Sequence, residues 1–467
     1  MSSNYMEIKT ITYDNNNRYF FYDIQSGFFV ESRAILNKII GLYPEHSPEE
    51  ILDLLKEEYP EELIKKSFEY IKNMYKSNGM LSQKNKVIQK NSPPKLKNLW
   101  LNIVHDCNMR CIYCFANGGD YKDERMNMSV ERAKKCIDYW YKNLGDFDKV
   151  NVYFFGGEPF LNRKVIEYSM EYIDNLIKST GRKVCYNITT NGTIFDEDFV
   201  KKLKEHDVEL LFSVDGTPDI HDSQRIFASG RGTYNVISEN LKKFQEYFPR
   251  LNANIVVTKK SAPYFQKSVE HLFKMGFKNV TFFLSITSDD GLAFTEEDLD
   301  IIFSQIKHLN TLTLKNIIHH KSGILVNALA ICKKIHLNLP YSGCALENNS
   351  VSVFTPDGTM FKCYELLSEK EFSIGHIDTA DKWENMCKNK NFMKSLDERV
   401  CNKCWAQKLC GGGCAYDSFV YNKDVNIPYS ISCKLVKFLI SEGIRMYSEL
   451  YMSIPESLDR LFKNTEI

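Results

Sequence analysis

The chain shows no excess of either charge: Lys+Arg and Asp+Glu stand at 60 each in 467 residues. A nucleic-acid partner calls for a basic face, so none is expected. No stretch approaches the ~20 apolar residues of a membrane-spanning helix. The opening MSSNYMEIKTITYDNNN lacks the apolar run and cleavage pattern of a secretory signal. The expectation is a cytoplasmic protein with no membrane association. No Gly-rich phosphate loop follows the first strong strand pattern, which argues against a doubly wound dinucleotide-binding sheet. Cysteine, by contrast, is plentiful, with 14 residues. Thiols stay reduced in the cytosol, so metal is the leading explanation, and the placement of the cysteines tests it.

Residues 1–85 read as a separate unit. TITYDNNNRYFFYDIQSGFFVES gives two or three short strands with turns at 14–17 and 26–27. Three helical patterns follow, the second opening at Ser47-Pro48-Glu49-Glu50 and the third at Pro60-Glu61-Glu62. Strands plus three helices suit a winged-helix-like module. Residues 86–98, with Pro93-Pro94, read as a linker. Over 99–335 six apolar strand patterns alternate with helical ones: 99–105, 150–155, 184–190, 209–214, 252–257 and 279–285. Such βα repetition implies a parallel sheet with right-handed crossovers. The fold class is α/β, a partial (β/α)6 barrel whose chemistry sits at the strand C-termini. Residues 336–435 form a Cys-rich region and 436–467 a helical tail.

The loop after the first barrel strand, HDCNMRCIYCFANGG, spaces Cys107, Cys111 and Cys114 as C-x3-C-x2-C. A [4Fe–4S] cluster normally takes four cysteines, so three leave one iron open to another ligand. The alternative is a zinc knuckle with His105 as the fourth ligand. This spacing, with Tyr113 before the last cysteine, resembles the radical S-adenosylmethionine (SAM) family. In that family SAM chelates the open iron, and reductive cleavage yields a 5′-deoxyadenosyl radical. The strand end Gly156-Gly157-Glu158-Pro159 is similar to the family's GGEP motif, which binds the SAM amino group. ITTNGT (188–193) and SVDGTPDIHDSQR (213–225) look like its later SAM-contacting strand ends. The resemblance implies Ser213 for the ribose hydroxyls and Arg225 for the SAM carboxylate.

The later cysteines run Cys344-x13-Gly358-x4-Cys363, then Cys401-x2-Cys404-x5-Cys410-x3-Cys414, then Cys433 eighteen residues on. This pattern resembles the SPASM domain, which carries auxiliary [4Fe–4S] clusters; a zinc-ribbon staple is the alternative. The resemblance implies Cys401, Cys404, Cys410 and Cys433 for one auxiliary cluster and Cys344, Cys363 and Cys414 for the other. Some members add an eighth cysteine soon after the first, but ALENNSVSVF follows Cys344 here. An open iron is therefore expected in that cluster, and three [4Fe–4S] clusters in all. Cys136, Cys185 and Cys387 read as buried small residues; Cys332 is either that or a further ligand.

SPASM-type enzymes mostly modify peptides. Sulfatase maturases start almost at the first cysteine motif and place Asp after the G-x4-C cysteine. Here 106 residues precede Cys107, and Tyr364 follows Cys363. The resemblance points instead to maturases of ribosomally made peptides, of the sactipeptide, ranthipeptide and SCIFF thioether-forming kind. There an N-terminal winged-helix-like unit binds the substrate's leader, a role that strand addition to a sheet edge can serve. The expected partners are a precursor peptide and a flavodoxin- or ferredoxin-like one-electron reductant. Carbon–carbon crosslinking, or another peptide oxidation including formylglycine formation, is the alternative; a non-enzymatic peptide-binding protein is a third. Asp215 and Glu365 are the candidate bases.

Overall fold

The computed structural model describes residues 10–463 except 16, 25, 44, 79–94, 288–291, 340–342 and 389. Most of the expected linker, 86–94 with Pro93-Pro94, lies outside the described residues. At the N-terminal end β1 (Thr10–Asn15), β2 (Arg18–Asp23) and β3 (Phe29–Ser32) form an antiparallel sheet in that order. Helices Ala34–Leu42, Pro48–Leu55 and Glu61–Asn78 follow. The second starts where the sequence signals it: Ser47 and Glu50 complete a capping box, with Pro48 in the first turn. Phe21 of β2 joins Ile39, Ile40, Ile51, Ile64 and Ile71 in a core of their own. Phe20 stacks on Phe29, which meets Tyr447 edge-on with ring centroids 4.9 Å apart. Strand RYFFYD is thus apolar on both faces because one covers helices and the other docks on the C-terminal helix.

All six expected barrel strands are present. They are β4 (Asn98–Val104), β6 (Lys149–Gly156), β7 (Lys183–Thr190), β8 (Glu209–Ser213), β10 (Asn252–Val257) and β11 (Asn279–Leu284), with β5 (Met109–Cys111) and β9 (Arg225–Phe227) forming a separate two-stranded ribbon. A short β12 (Ile324–Leu325) follows. The main sheet runs β12-β11-β10-β8-β7-β6-β4 and pairs in parallel throughout. From β4 to β12 sequence order across the sheet never reverses, so the winding of these strands is that of a partial barrel and not of a doubly wound sheet. Burial alternates strictly along β6 and β10. Parallel sheets covered on both faces are usually apolar throughout. Here Val150, Val152, Phe154, Ala253, Ile255 and Val257 are buried, while the residues between them stay partly accessible.

Two boundaries differ from expectation. Within 336–435, β13 (Val351–Phe354) pairs in parallel with β4, and β14 (Thr359–Phe361) and β15 (Gly375–His376) extend the same sheet antiparallel. Runs of two to four residues are too short for a period-2 signal to register. The tail helix starts at Ser430, so Cys433 rides on its first turn and the expected 435/436 boundary falls inside a helix. The first barrel helix, Val130–Lys142, is stitched to the Cys-rich region: Arg132 pairs with Asp378 at 2.8 Å and the Tyr139 hydroxyl donates to the Asp381 carbonyl at 2.7 Å.

Candidate active site between three groups of cysteines

The loop carrying Cys107, Cys111 and Cys114 is pinned from three directions. Gly157 N donates to the Val104 carbonyl at 2.9 Å and Glu158 N to that of Asp106 at 3.0 Å. A methyl on Gly157 would overlap the Asp106 carbonyl, and one on Gly119 would lie 2.9 Å from Cys107 Cβ, so both glycines permit backbone contact that no other residue allows. The β5–β9 ribbon sets Cys111 opposite Arg225. From the end of β7, Asn191 Nδ2 donates to Asn108 Oδ1 at 2.9 Å and lies 3.8 Å from Cys107 Sγ; Asn108 Nδ2 donates to Thr193 Oγ1 at 2.8 Å. Met109 N also points at Cys107 Sγ, 3.4 Å away. The three thiols lie within electrostatic reach of one another. Burial pushes Cys107 up to about 12 and Cys111 up to about 11. Thiols so placed ionise readily only against a bound cation, which suits a metal-ligand role.

The predicted SAM-binding residues surround this loop. Glu158 is buried and its carboxylate accepts from Thr190 Oγ1 at 2.8 Å, Phe160 N at 3.0 Å and Asn191 N at 2.7 Å. It therefore fastens the end of β6 to that of β7, while Pro159 opens the 3-10 turn Pro159–Asn162. The Tyr113 hydroxyl donates to Asp215 Oδ2 at 2.7 Å and accepts from Arg225 Nη1 at 2.5 Å. Gln224 Nε2 and Val256 N complete Asp215's partners at 3.1 and 3.0 Å. Both oxygens of this buried carboxylate are committed, so Asp215 anchors the site and is poorly disposed to accept a substrate proton. Arg225 Nε and Asn254 Oδ1 are buried without a partner among the described residues. Ser213 pairs in register with Asn254 across β8 and β10.

The later cysteines gather into two groups. Gly358, at φ 102°, makes the turn between β13 and β14 and delivers Cys363. The charges of Cys344 and Cys414 each couple to that of Cys363. Glu365 Oε2 accepts from Cys414 Sγ at 3.7 Å, and burial followed by the Asp417 charge pushes this carboxyl up to about 7. Cys433 couples in the same way to Cys410, Cys401 and Cys404. Gly411, Gly412 and Gly413 all have positive φ (76°, 93°, 82°), and the backbone amides of the last two point at Cys410. Successive N–H groups in such a turn form a nest for an anion, here a thiolate.

Between the first loop and the residues beside Cys363 and Cys414 lies a cavity of about 270 Å³. Tyr113, Cys114 and Phe115 form one wall, Thr258 and Ser285 at the ends of β10 and β11 another, and Glu365, Tyr416 and Phe419 the third. Trp100 stacks on Tyr364 at 4.2 Å, and Cys114, Cys344 and Cys363 pack against one shared apolar cluster.

Among the described residues no three His, Cys, Asp or Glu side chains stand close enough to share one metal ion. A cluster spreads its thiolates more widely than a single zinc, which holds each sulfur at about 2.3 Å. His105 faces Tyr121, with ring centroids 4.8 Å apart, and burial lowers its pKa to about 4; its charged neighbours are Asp357, Asp123 and Asp120, not thiols. Cys332 donates to the Gly443 carbonyl at 3.2 Å inside the contact between helices Val326–His336 and Ser430–Ser453, a packing position. Cys136, Cys185 and Cys387 are buried, as expected. The sequence reading missed the Asn108–Asn191 bridge to Cys107 and the buried Arg399 treated below. Their only signal was a polar residue adjoining a cysteine motif.

The profile of the radical SAM superfamily matches residues 101–272. An uncharacterized protein of Methanocaldococcus jannaschii is 32% identical over 187 residues, 40% of this chain and 62% of its own length. A cysteine-type anaerobic sulfatase-maturating enzyme of Clostridium novyi is 27% identical over 73% of this chain and 92% of its own. A radical SAM cyclopropyl synthase of Paramaledivibacter caminithermalis is 22% identical over 95% of this chain and 96% of its own. In fold the chain resembles anSMEcpe with bound AdoMet, with a TM-score of 0.67 and 21% identity over 79% of this chain and 98% of that one. It also resembles Streptococcus suis SuiB bound to precursor peptide SuiA, with a TM-score of 0.50 and 13% identity over 91% and 98%.

Proposed function

Given that the chain carries a radical SAM domain, we propose that it is a peptide maturase joining a cysteine sulfur to a carbon of a ribosomally made precursor as a thioether. The observation that carries this reading is the cavity: Cys114 and Tyr113 line one side, and Glu365, hydrogen-bonded to Cys414, lines the other. A peptide in that cavity lies between two cysteine groups, the second of which has only Cys344, Cys363 and Cys414.

Cys107, Cys111 and Cys114 hold the SAM-binding cluster in this proposal, and the two later groups hold auxiliary clusters. Reduced and bound beside SAM, that first cluster supplies the one-electron chemistry that makes an unactivated C–H bond reactive. The chain's own residues bind, orient and exclude water. Arg225 Nε donates to the SAM carboxylate, and Ser213 with Asn254 meets the ribose hydroxyls. Glu158 is committed to Thr190 and Asn191, so the amino group falls to backbone carbonyls of the Gly156–Glu158 turn. Asn191 and Met109 direct N–H groups at Cys107 sulfur, a contact that tunes cluster potential. Glu365, facing the cavity with a raised pKa, takes the proton of the substrate thiol. Residues 10–78 recognise the leader at an edge of the β1–β3 sheet. An external one-electron reductant is required. No helix among the described residues is long and apolar enough to cross a membrane.

A second reading, carbon–carbon bond formation, is favoured by the end-to-end match to the cyclopropyl synthase. Mass spectrometry of a precursor incubated anaerobically with reduced enzyme and SAM separates the two. Thioether formation removes two hydrogens and makes the cysteine resistant to alkylation, and a Cys→Ala precursor stays unmodified. Modification of that Cys→Ala precursor would overturn the thioether reading.

A further inference from the structure

Arg399 is buried, 3% exposed, in the region where the two later cysteine groups adjoin. It stands two residues before Cys401 and forms an ion pair with Glu347, three residues after Cys344, at 3.3 Å through Nη2. The pair therefore straps the Cys344 loop to the Cys401 loop. A third loop closes over it: a methyl on Gly412 would lie 2.7 Å from Arg399 Nη1, so the segment between Cys410 and Cys414 runs directly against the guanidinium. The charge of Arg399 acts on both Cys344 and Cys401. Nε and Nη1 have no hydrogen-bond partner among the described residues. Burying guanidinium donors without an acceptor is unfavourable. A cation so placed, with one carboxylate partner and two unmet N–H groups among thiols, calls for an anion on that side.

We infer that Arg399 lies between the two auxiliary iron–sulfur clusters, donates from Nε and Nη1 to their sulfurs, and holds both at a higher reduction potential. This rests on the proposal that the two later cysteine groups carry clusters. The physical reason is that reduction adds negative charge to a cluster, and an adjacent buried cation favours the more negative form. Net charge and hydrogen bonds to sulfur are the levers by which a protein sets such potentials. One side chain thereby biases both clusters together and keeps them able to accept the electron left by an oxidative bond-forming step. Arg399 is a positioning residue, not a catalytic one.

The test uses the full chain with Cys107, Cys111 and Cys114 replaced by alanine, reconstituted anaerobically, so that only auxiliary clusters remain. About eight irons per chain establishes two [4Fe–4S] clusters. Near-zero iron sinks the cluster reading itself, and this inference with it. In the loaded protein, potentiometric titration followed by electron paramagnetic resonance compares Arg399 with Arg399→Met and Arg399→Lys. The expected result is that both auxiliary midpoints move negative in R399M at unchanged iron, with partial recovery in R399K. Unmoved midpoints in loaded R399M overturn the inference while leaving the clusters in place. If R399M fails to load, Glu347→Gln decides. That change leaves the guanidinium without its counterion, so both midpoints should rise; unchanged midpoints in E347Q overturn the inference.

Discussion

Gly157→Ala tests whether the tight contact between the end of β6 and the first cysteine loop sets that loop's position. The added methyl would overlap Asp106 O and lie 2.9 Å from Gly119 Cα, both of them backbone atoms that no rotamer change can move aside. Carbon–oxygen contacts settle at about 3.3–3.6 Å and the methyl would stand 2.0 Å from Asp106 O, so the strand end and the loop must separate by about 1.3–1.6 Å. That opening breaks the Glu158 N to Asp106 O bond, now 3.0 Å. A lost backbone hydrogen bond costs about 0.5–1.5 kcal/mol, and overpacking of this kind about 1–3 kcal/mol. The sum is about 1.5–4.5 kcal/mol, concentrated one residue before Cys107. The control is Gly181→Ala, ahead of β7, where nothing lies within 4 Å but φ is 69°. It carries backbone strain alone, about 1–2 kcal/mol. Anaerobic thermal unfolding, iron per chain and SAM cleavage are measured for both. G157A should lose stability and SAM cleavage, by about 10²-fold for the latter if a 1 Å displacement acts as it does elsewhere. G181A should lose only stability. Wild-type SAM cleavage in G157A would refute the claim that this contact positions the loop.

Tyr113→Phe removes the hydroxyl between Asp215 and Arg225, leaving a buried carboxylate and guanidinium each short of a partner. SAM affinity by equilibrium dialysis should weaken, and unchanged affinity would separate this network from SAM binding. His221 is buried with Nδ1 accepting from Asp215 N, and burial followed by the Arg225 charge holds its pKa well below 6.5. Unfolding frees it to bind a proton, so its stabilisation is intact above about pH 6.5 and falls by up to about 1.4 kcal/mol per pH unit below that. Thermal unfolding of His221→Gln from pH 7 to 5.5 should show a shallower decline than wild type, and parallel declines would refute this. Phe29→Ala opens the contact with Phe20 and Tyr447. Hydrogen exchange should then quicken across residues 10–78 before the barrel responds, and uniform quickening would mean that the two unfold as one.

How much the sequence disclosed depended on whether the signal was local. The barrel strands were legible because each is an apolar run beside a turn, and the cysteine motifs because spacing alone marks them. VSVF at 351–354 was not, since its place beside β4 is a matter of long-range pairing. The ends of the tail helix were obscured for a related reason: Ser430 begins a helix that the preceding Cys-rich composition masks. Asp215 was ambiguous for a different reason. An acid at a strand end resembles a base until its partners are known, and Tyr113, Gln224 and Val256 arrive from three separate segments.

The same distinction bears on the two cysteine regions and what joins them. Spacing assigns thiols to groups, but it says nothing of the material between groups, and there the fold has placed aromatic rings and one buried cation. Trp100 from β4 stacks on Tyr364, which adjoins Cys363, while Phe115, which adjoins Cys114, meets Tyr364 edge-on at 6.1 Å. The sheet continues from β4 through β13 to β14, so the first cysteine loop, which follows β4, and Cys363, which follows β14, belong to one ladder two strands apart. Their relative placement is thus set by a hydrogen-bonded sheet and not by a flexible linker. A substrate segment between them would meet a rigid frame, while residues 10–78 dock through Phe20 and Phe29 against the C-terminal helix and through Tyr22 and Ile24 in the main core. A rigid frame around the reacting region and an N-terminal unit with a core of its own fit the proposed maturase, in which one part holds the leader and the other does the chemistry.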